Sequence, residues 1–230
     1  MPDRVSPHTE NARMTKTGEA ARPMPTIEPE TLGETWLLYQ KQIIIGAIVV
    51  AVGAGGFWLW SRSSQIKEEK AGAAFQSAEA TFMSGNKFLA QADLEKITSR
   101  YKGTTAGTQA AMLIAQVMFE QGKHAEGIAQ LEAVASSAPK ALRAGIQALI
   151  GSGLESSGKP AEAATAFAKA AAAADFTVDR DMHLMEQARN LIAANDAAGA
   201  TKIYKEISSR EDSPFSGEAK VRLGEASAKP

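Results

Sequence analysis

From Ile43 to Trp60 the chain runs eighteen residues without a charge, IIIGAIVVAVGAGGFWLW. As an α-helix that length is roughly 27 Å, about the hydrocarbon thickness of a bilayer. A helix apolar around its whole circumference cannot face water, which argues for lipid; an amphipathic core helix of a soluble domain would keep a polar stripe. A cleaved signal sequence fits badly. The run begins after 42 residues and ends in Trp-Leu-Trp, not at a small-x-small site. Trp36 and Tyr39 precede the run, and Phe57, Trp58 and Trp60 close it, which places aromatic rings at both headgroup levels. Lys41 and Arg62 stand just outside. The sequence therefore predicts one retained transmembrane helix over 43–60. Ala47, Ala51 and Gly55 recur every fourth residue within it. That spacing would let a second helix approach closely, although small residues are also common in bilayer helices generally.

Composition narrows what the rest can do. The chain has 230 residues and net charge −1, and after the apolar run twenty Lys plus Arg stand against twenty Asp plus Glu. An even balance leaves no electrostatic footprint for nucleic acid. There is no cysteine, which removes disulfides, thiolate catalysis and Cys-based metal sites. Alanine is abundant and β-branched runs are absent beyond residue 60, a composition that favours helix over sheet.

The regions on either side read differently. Residues 1–30 hold five of the nine prolines and few large apolar residues, so they are expected to be a disordered tail unless a partner orders them. Leu32, Trp36, Leu37 and Tyr39 recur at helical spacing and predict an interfacial lead-in helix over 31–42. Residues 61–71 are polar, without proline or glycine up to Ala71, and read as a linker or as a continuation of the membrane helix.

Residues 72–227 carry an internal repeat. Gly85, Gly122, Gly158 and Asn195 lie 37, 36 and 37 residues apart. Five residues after each stands a small residue: Ala90, Gly127, Ala163 and Ala200. Nine after each stands a large one: Leu94, Leu131, Phe167 and Tyr204. Seven before each stands another small one: Ala78, Ala115, Gly151 and Ala188. A helical hairpin explains all four registers. The chain leaves the first helix in a left-handed conformation, hence Gly or Asn. The small residues mark where the paired helices cross, and the large one fills the groove to the next hairpin. Such units bury their apolar faces only by stacking. About four hairpins are expected, with Ser216–Ser227 as a capping helix.

These residues resemble the tetratricopeptide family. Gly122-Lys123-His124-Ala125-Glu126-Gly127 and Gly158-Lys159-Pro160-Ala161-Glu162-Ala163 look like its turn and second-helix start, and Pro139 falls where that family often places a proline. The period of 36–37 exceeds the family's usual length of about 34, and its first-helix Trp and Tyr are replaced by smaller residues. The fold class expected is all-α: a single transmembrane helix followed by a solenoid of tetratricopeptide-like hairpins. The layout from residue 30 to 210, with one span ending Trp-Leu-Trp and then Ala73-Ala74-Phe75-Gln76-Ser77-Ala78, is similar to the bacterial ancillary subunit of the Sec translocon. That resemblance implies a cytoplasmic N-terminus, a periplasmic repeat domain, and association with the SecYEG channel and a membrane-anchored periplasmic chaperone. The charge pattern by itself does not support that orientation, since Arg62, Lys67 and Lys70 crowd the domain side of the span.

No catalytic constellation stands out. Asp179-x-Asp181-x-His183 could be drawn as metal ligands, but Asp and His near a helix start are more often a cap and first-turn charges. His124 falls at a hairpin turn, where an exposed polar residue is expected. Gly53-Ala54-Gly55-Gly56 lies within the apolar run and lacks the Lys-Ser/Thr of a phosphate loop. The protein is read as a non-enzyme without cofactor or metal, and without nucleic-acid or small-molecule substrates.

A binding surface is easier to place. Counting back from the turns, the inward positions of the first helices include Phe82, Met83, Met112, Gln116, Phe119, Glu120, Glu155, Met185 and Arg189, with Glu79 beside them. Flexible thioethers on such a face can repack against varied apolar ligands; the plainer reading is packing between helices. Arg189 is the one basic residue among these positions, which argues against a clamp for a peptide carboxylate. The expected function is a membrane-anchored protein–protein adaptor or scaffold in the bacterial inner membrane, an accessory subunit at the secretion channel that links it to chaperones or clients. The alternative is a structural or assembly subunit of a large inner-membrane complex, respiratory or photosynthetic.

Overall fold

The computed structural model describes residues 29–228. Among the described residues the chain is helical throughout: α1 (Pro29–Met83), α2 (Lys87–Arg100), α3 (Thr105–Glu120), α4 (His124–Ala135), α5 (Lys140–Ser156), α6 (Pro160–Ala173), α7 (Thr177–Ala193), α8 (Ala197–Ser208) and α9 (Ser216–Ala228). The tail expected over 1–30 lies, but for its last two positions, outside the described residues. The chain divides into two units, Met1–Phe57 and Trp58–Pro230, and α1 contributes to both.

In the first unit the apolar side chains of α1 are exposed. Ile44, Ile45, Ile48, Val49, Val50 and Val52 each show more than half their surface. The most apolar eighteen-residue stretch of this helix has mean hydropathy 2.2 with none of it buried in protein. By length and composition this helix can cross a membrane. Residues 61–71, which the sequence left open between linker and helix, are helical.

The second unit is an all-α, tetratricopeptide-like array. The end of α1 joins α2 through the cluster of Ala78, Leu94 and Ile97; α3 packs on α4, α5 on α6, α7 on α8, and α9 on α8. Each helix packs chiefly on its chain neighbours, and α3 also touches α5. At the open edge, Lys67 Nζ donates to the Lys102 carbonyl at 2.9 Å, and the Thr105 amide at the start of α3 donates to Glu68 Oε1 at 2.8 Å.

The hairpin turns share one physical solution. Gly85, Gly122, Gly158 and Asn195 have φ of 91°, 76°, 72° and 63°. At the last three, the same two hydrogen bonds close the first helix: Lys123 N to Met118 O with Gly122 N to Phe119 O, Lys159 N to Leu154 O with Gly158 N to Glu155 O, and Asp196 N to Leu191 O with Asn195 N to Ile192 O. This is the six-to-one and five-to-two pattern of a left-handed helix stop, which satisfies carbonyls a helix end otherwise orphans. Asn195 is tolerated there because a short amide side chain suffers least among non-glycine residues.

The three side-chain registers are buried. Ala78, Ala115, Gly151, Ala188, Ala90, Gly127, Ala163 and Ala200 are all buried, as are Leu94, Leu131, Phe167 and Tyr204; a Cβ on Gly127 would stand 3.0 Å from the Ala115 carbonyl, and one on Gly151 2.9 Å from the Phe167 ring. Each large residue contributes on the order of 2 kcal/mol by burial. Among the described residues three apolar clusters form along the array. The first joins Ala78, Leu94, Ile97 and Ile114, the second Ala115, Leu131, Ile146 and Ile150, and the third Ala188, Ala200, Tyr204 and Ile207.

Two polar expectations are corrected. Asp181 is not a helix cap: it is fully buried and ion-paired to Arg210 in the turn after α8, with Arg180 beside it. Phe176 precedes α7 without a side-chain cap. His124 is not a freely solvated turn residue either; its ring stacks on Phe119 at 5.8 Å, and its Nδ1 is buried without a hydrogen-bond partner.

Candidate protein-binding surface

The first helices of the hairpins carry the predicted groove residues, and the structure separates them into three groups. Phe82 and Met83 close α1, where Met83 is 79 % exposed. Met112 and Phe119 on α3 are half-buried and pack on the second apolar cluster, while Gln116 and Glu120 on the same helix are exposed. Glu155 of α5 joins Met185 and Arg189 of α7: Arg189 holds the Glu155 carboxylate with both terminal nitrogens, at 2.6 and 3.0 Å, and also engages Glu186. Ala47, Ala51 and Gly55 are exposed on α1.

Phe119 is chiefly a packing residue. A Cβ on Gly127 would come within 2.5 Å of its ring, and one on Gly153 within 2.7 Å. Those two glycines make the slot between α4 and α5 into which Phe119 inserts. Met112 behaves similarly, with its terminal methyl 3.2 Å from where a Cβ on Gly145 would stand.

A groove also opens between α7 and α9. A cavity of about 450 Å³ is lined by Arg189, Ile192, Tyr204, Arg222, Glu225 and Ala226. A second, of about 90 Å³, adjoins it through Arg189, Tyr204 and Arg222 and adds Met182, Met185, Glu186, Phe215 and Glu218. Met182, Met185, Arg189 and Ile192 follow helical spacing and present one face of α7. Arg222 from α9 answers Arg189, so the basic residue counted as solitary in the sequence has a companion supplied by the capping helix. Arg222 pairs with Glu225 at 3.2 Å and Glu218 at 3.6 Å. The hydrogen bond Arg189 donates to Glu186 raises its pKa above the usual range, and the one Arg222 donates to Glu225 does the same there. Burial pushes the Tyr204 phenol up. Burial lowers His183, against the charges of Asp179 and Glu186. Among the described residues no group of His, Cys, Asp or Glu is arranged to hold a metal ion.

The sequence profile of the tetratricopeptide repeat-like domain matches residues 34–150. The chain belongs to this family. The matched range takes in the apolar run as well as the first hairpins. Two solved structures with similar folds are of a Podosopora anserina putative kinesin light chain with nearly identical TPR-like repeats, one of them a single-residue variant of the other. Each is 15 % identical, covering 67 % of this chain and 83 % of that one, with a TM-score of 0.52. At that identity the likeness speaks to fold alone. No curated protein matches the chain. Tetratricopeptide repeat-like domains suggest protein–protein interaction and are typically non-catalytic, consistent with stacked hairpins that present a long side-chain surface.

Proposed function

We propose that this tetratricopeptide repeat-like protein is a single-span adaptor of the bacterial inner membrane, an accessory subunit at the secretion channel. Its N-terminus is cytoplasmic and its repeats are periplasmic, where they bind chaperones or clients of the channel. The supporting observation is a helix whose most apolar eighteen-residue window has none of its residues buried, in a chain that matches a tetratricopeptide repeat-like domain over residues 34–150. Exposing that much apolar surface to water is strongly unfavourable, and lipid removes the cost. Tethering raises the effective concentration of whatever the repeats hold beside the channel. The layout similar to the ancillary SecYEG subunit supplies the channel as the partner.

Gentle detergent extraction of a tagged full-length chain, with identification of copurifying proteins, tests the partner. SecYEG components and a periplasmic chaperone are expected. Recovery of a respiratory or photosynthetic complex in their place would overturn the channel in favour of a structural subunit. Protease added to intact spheroplasts should degrade the repeats; protection until lysis would reverse the orientation.

A further inference from the structure

Tyr204 is almost wholly buried, at 3 % exposure, yet it lines both hollows between α7 and α9. The charged groups that act on its phenol are Arg222, Glu218, Arg189 and Glu225. All four line the same two hollows, so the hydroxyl end faces them. The hydroxyl is not among the side-chain atoms shut off from solvent without a partner, so it opens on the groove. There it can exchange water for a donor carried by whatever enters.

The walls decide what that is. Ile192 and Ala226 make one apolar side; Met182, Met185 and Phe215 make another. Both guanidinium groups are already engaged, Arg189 by Glu155 and Glu186, Arg222 by Glu218 and Glu225. Of the residues that line the two hollows, Glu186, Glu218 and Glu225 stand against Arg189 and Arg222, a surplus of one negative charge. An incoming carboxylate would have to break these pairs and face that surplus, whereas an incoming cation would complete it. Lys and Arg also carry a long apolar stem below a charged head, the combination that an apolar wall under an acidic rim receives.

We propose that this groove is a socket for a Lys or Arg side chain from an amphipathic segment of a partner protein. The stem lies along Ile192 and Ala226. The head sits among Glu186, Glu218 and Glu225 and donates to the Tyr204 phenol oxygen. A neighbouring small apolar side chain of the same segment enters the lesser hollow at Met182, Met185 and Phe215. This rests on reading the array as a protein-binding surface and names the chemistry of what it binds.

The test uses the full-length protein in phosphatidylcholine nanodiscs and labelled twelve-residue peptides with Leu at helical spacing in an Ala/Ser background. One peptide carries Lys, a second Gln and a third Glu at the same positions. Fluorescence anisotropy against empty nanodiscs should show saturable binding of the Lys peptide, weakened by added salt. Glu218→Gln with Glu225→Gln should weaken it about fivefold to tenfold, as expected for losing two partly exposed charges. Tyr204→Phe, which keeps the ring and removes only the hydroxyl, should weaken it a few-fold. Thermal unfolding identical to the parent shows that each variant is folded. Equal binding of the Lys and Gln peptides, tighter binding of the Glu peptide, or indifference to the Glu218 and Glu225 changes overturns the socket. Copurification of a membrane complex by the unaltered chain is a separate readout. Indifferent peptide binding beside intact copurification sinks the socket alone, and carboxylate-dependent peptide binding with no copurifying complex sinks the adaptor reading alone.

Discussion

The slot that holds Phe119 gives a prediction whose sign reverses with background. Gly153 lies inside α5, where alanine would favour the helix by about 1 kcal/mol. A Cβ there, however, would meet the Phe119 ring at 2.7 and 2.9 Å and Ile128 Cγ1 at 3.0 Å. Ring contacts that short force a rotamer or backbone shift, and overpacking of this kind costs about 1–3 kcal/mol. The helix gain offsets part of it, so Gly153→Ala alone should destabilise by about 1 kcal/mol. With Phe119→Ala the ring contacts are gone and only Ile128 Cγ1 must give by a few tenths of an ångström, so Gly153→Ala should stabilise by about 0.5 kcal/mol. The coupling between the two sites is then about 1.5 kcal/mol, beyond the scatter of independent sites. Gly224, an exposed helical glycine with nothing near its Cβ, is the control; Gly224→Ala should stabilise in both backgrounds. Thermal unfolding of the full-length protein, followed by circular dichroism, reads each step as a Tm change of about 2–4 °C per kcal/mol for a domain of this size. Equal destabilisation by Gly153→Ala with and without the Phe119 ring would refute the slot.

Three further outcomes follow from single features. Arg210→Ala strands the fully buried Asp181 carboxylate and should cost about 3 kcal/mol or more, read as a fall in Tm, with Arg210→Lys recovering part of it. Burial holds the His183 pKa in the fold below its unfolded value near 6.5, so the unfolded chain takes up the proton first as pH falls. Its stabilising effect is complete above about pH 6.5 and is lost as pH drops through the lower folded value, and His183→Gln should flatten the Tm-versus-pH curve in that window. Val50→Asp with Val52→Asp places two carboxylates in the apolar stretch of α1, each about 3 kcal/mol unfavourable at the centre of a bilayer helix. Carbonate washing of membranes should then release the chain, and retention equal to the parent would count against the span.

The repeats were readable because each structural need recurs with the same residue type. A left-handed helix stop demands Gly or Asn, and a close helix crossing demands Ala or Gly, so four turns and eight small residues announced themselves at fixed spacing. What escaped the sequence was long-range or outside the repeat. Asp181 looked like a first-turn charge because its partner, Arg210, lies 29 residues away in a turn with no periodic signature. Arg189 looked solitary because Arg222 and Glu225 sit on α9, which lacks the hairpin pattern that located the other inward positions. Phe119 and Met112 satisfied the groove spacing, yet Gly127, Gly153 and Gly145 draw them toward neighbouring helices. The signal for that was present: glycines inside helices, one turn from where a large ring must go.

Three separate apolar clusters along one stack also set how the protein yields to a pull. With no shared centre, a tug on either end is resisted by the nearest seam, and tension should peel helices away a few at a time, each rupture leaving the next cluster whole. An array that gives in instalments absorbs mechanical work before its last hairpin opens.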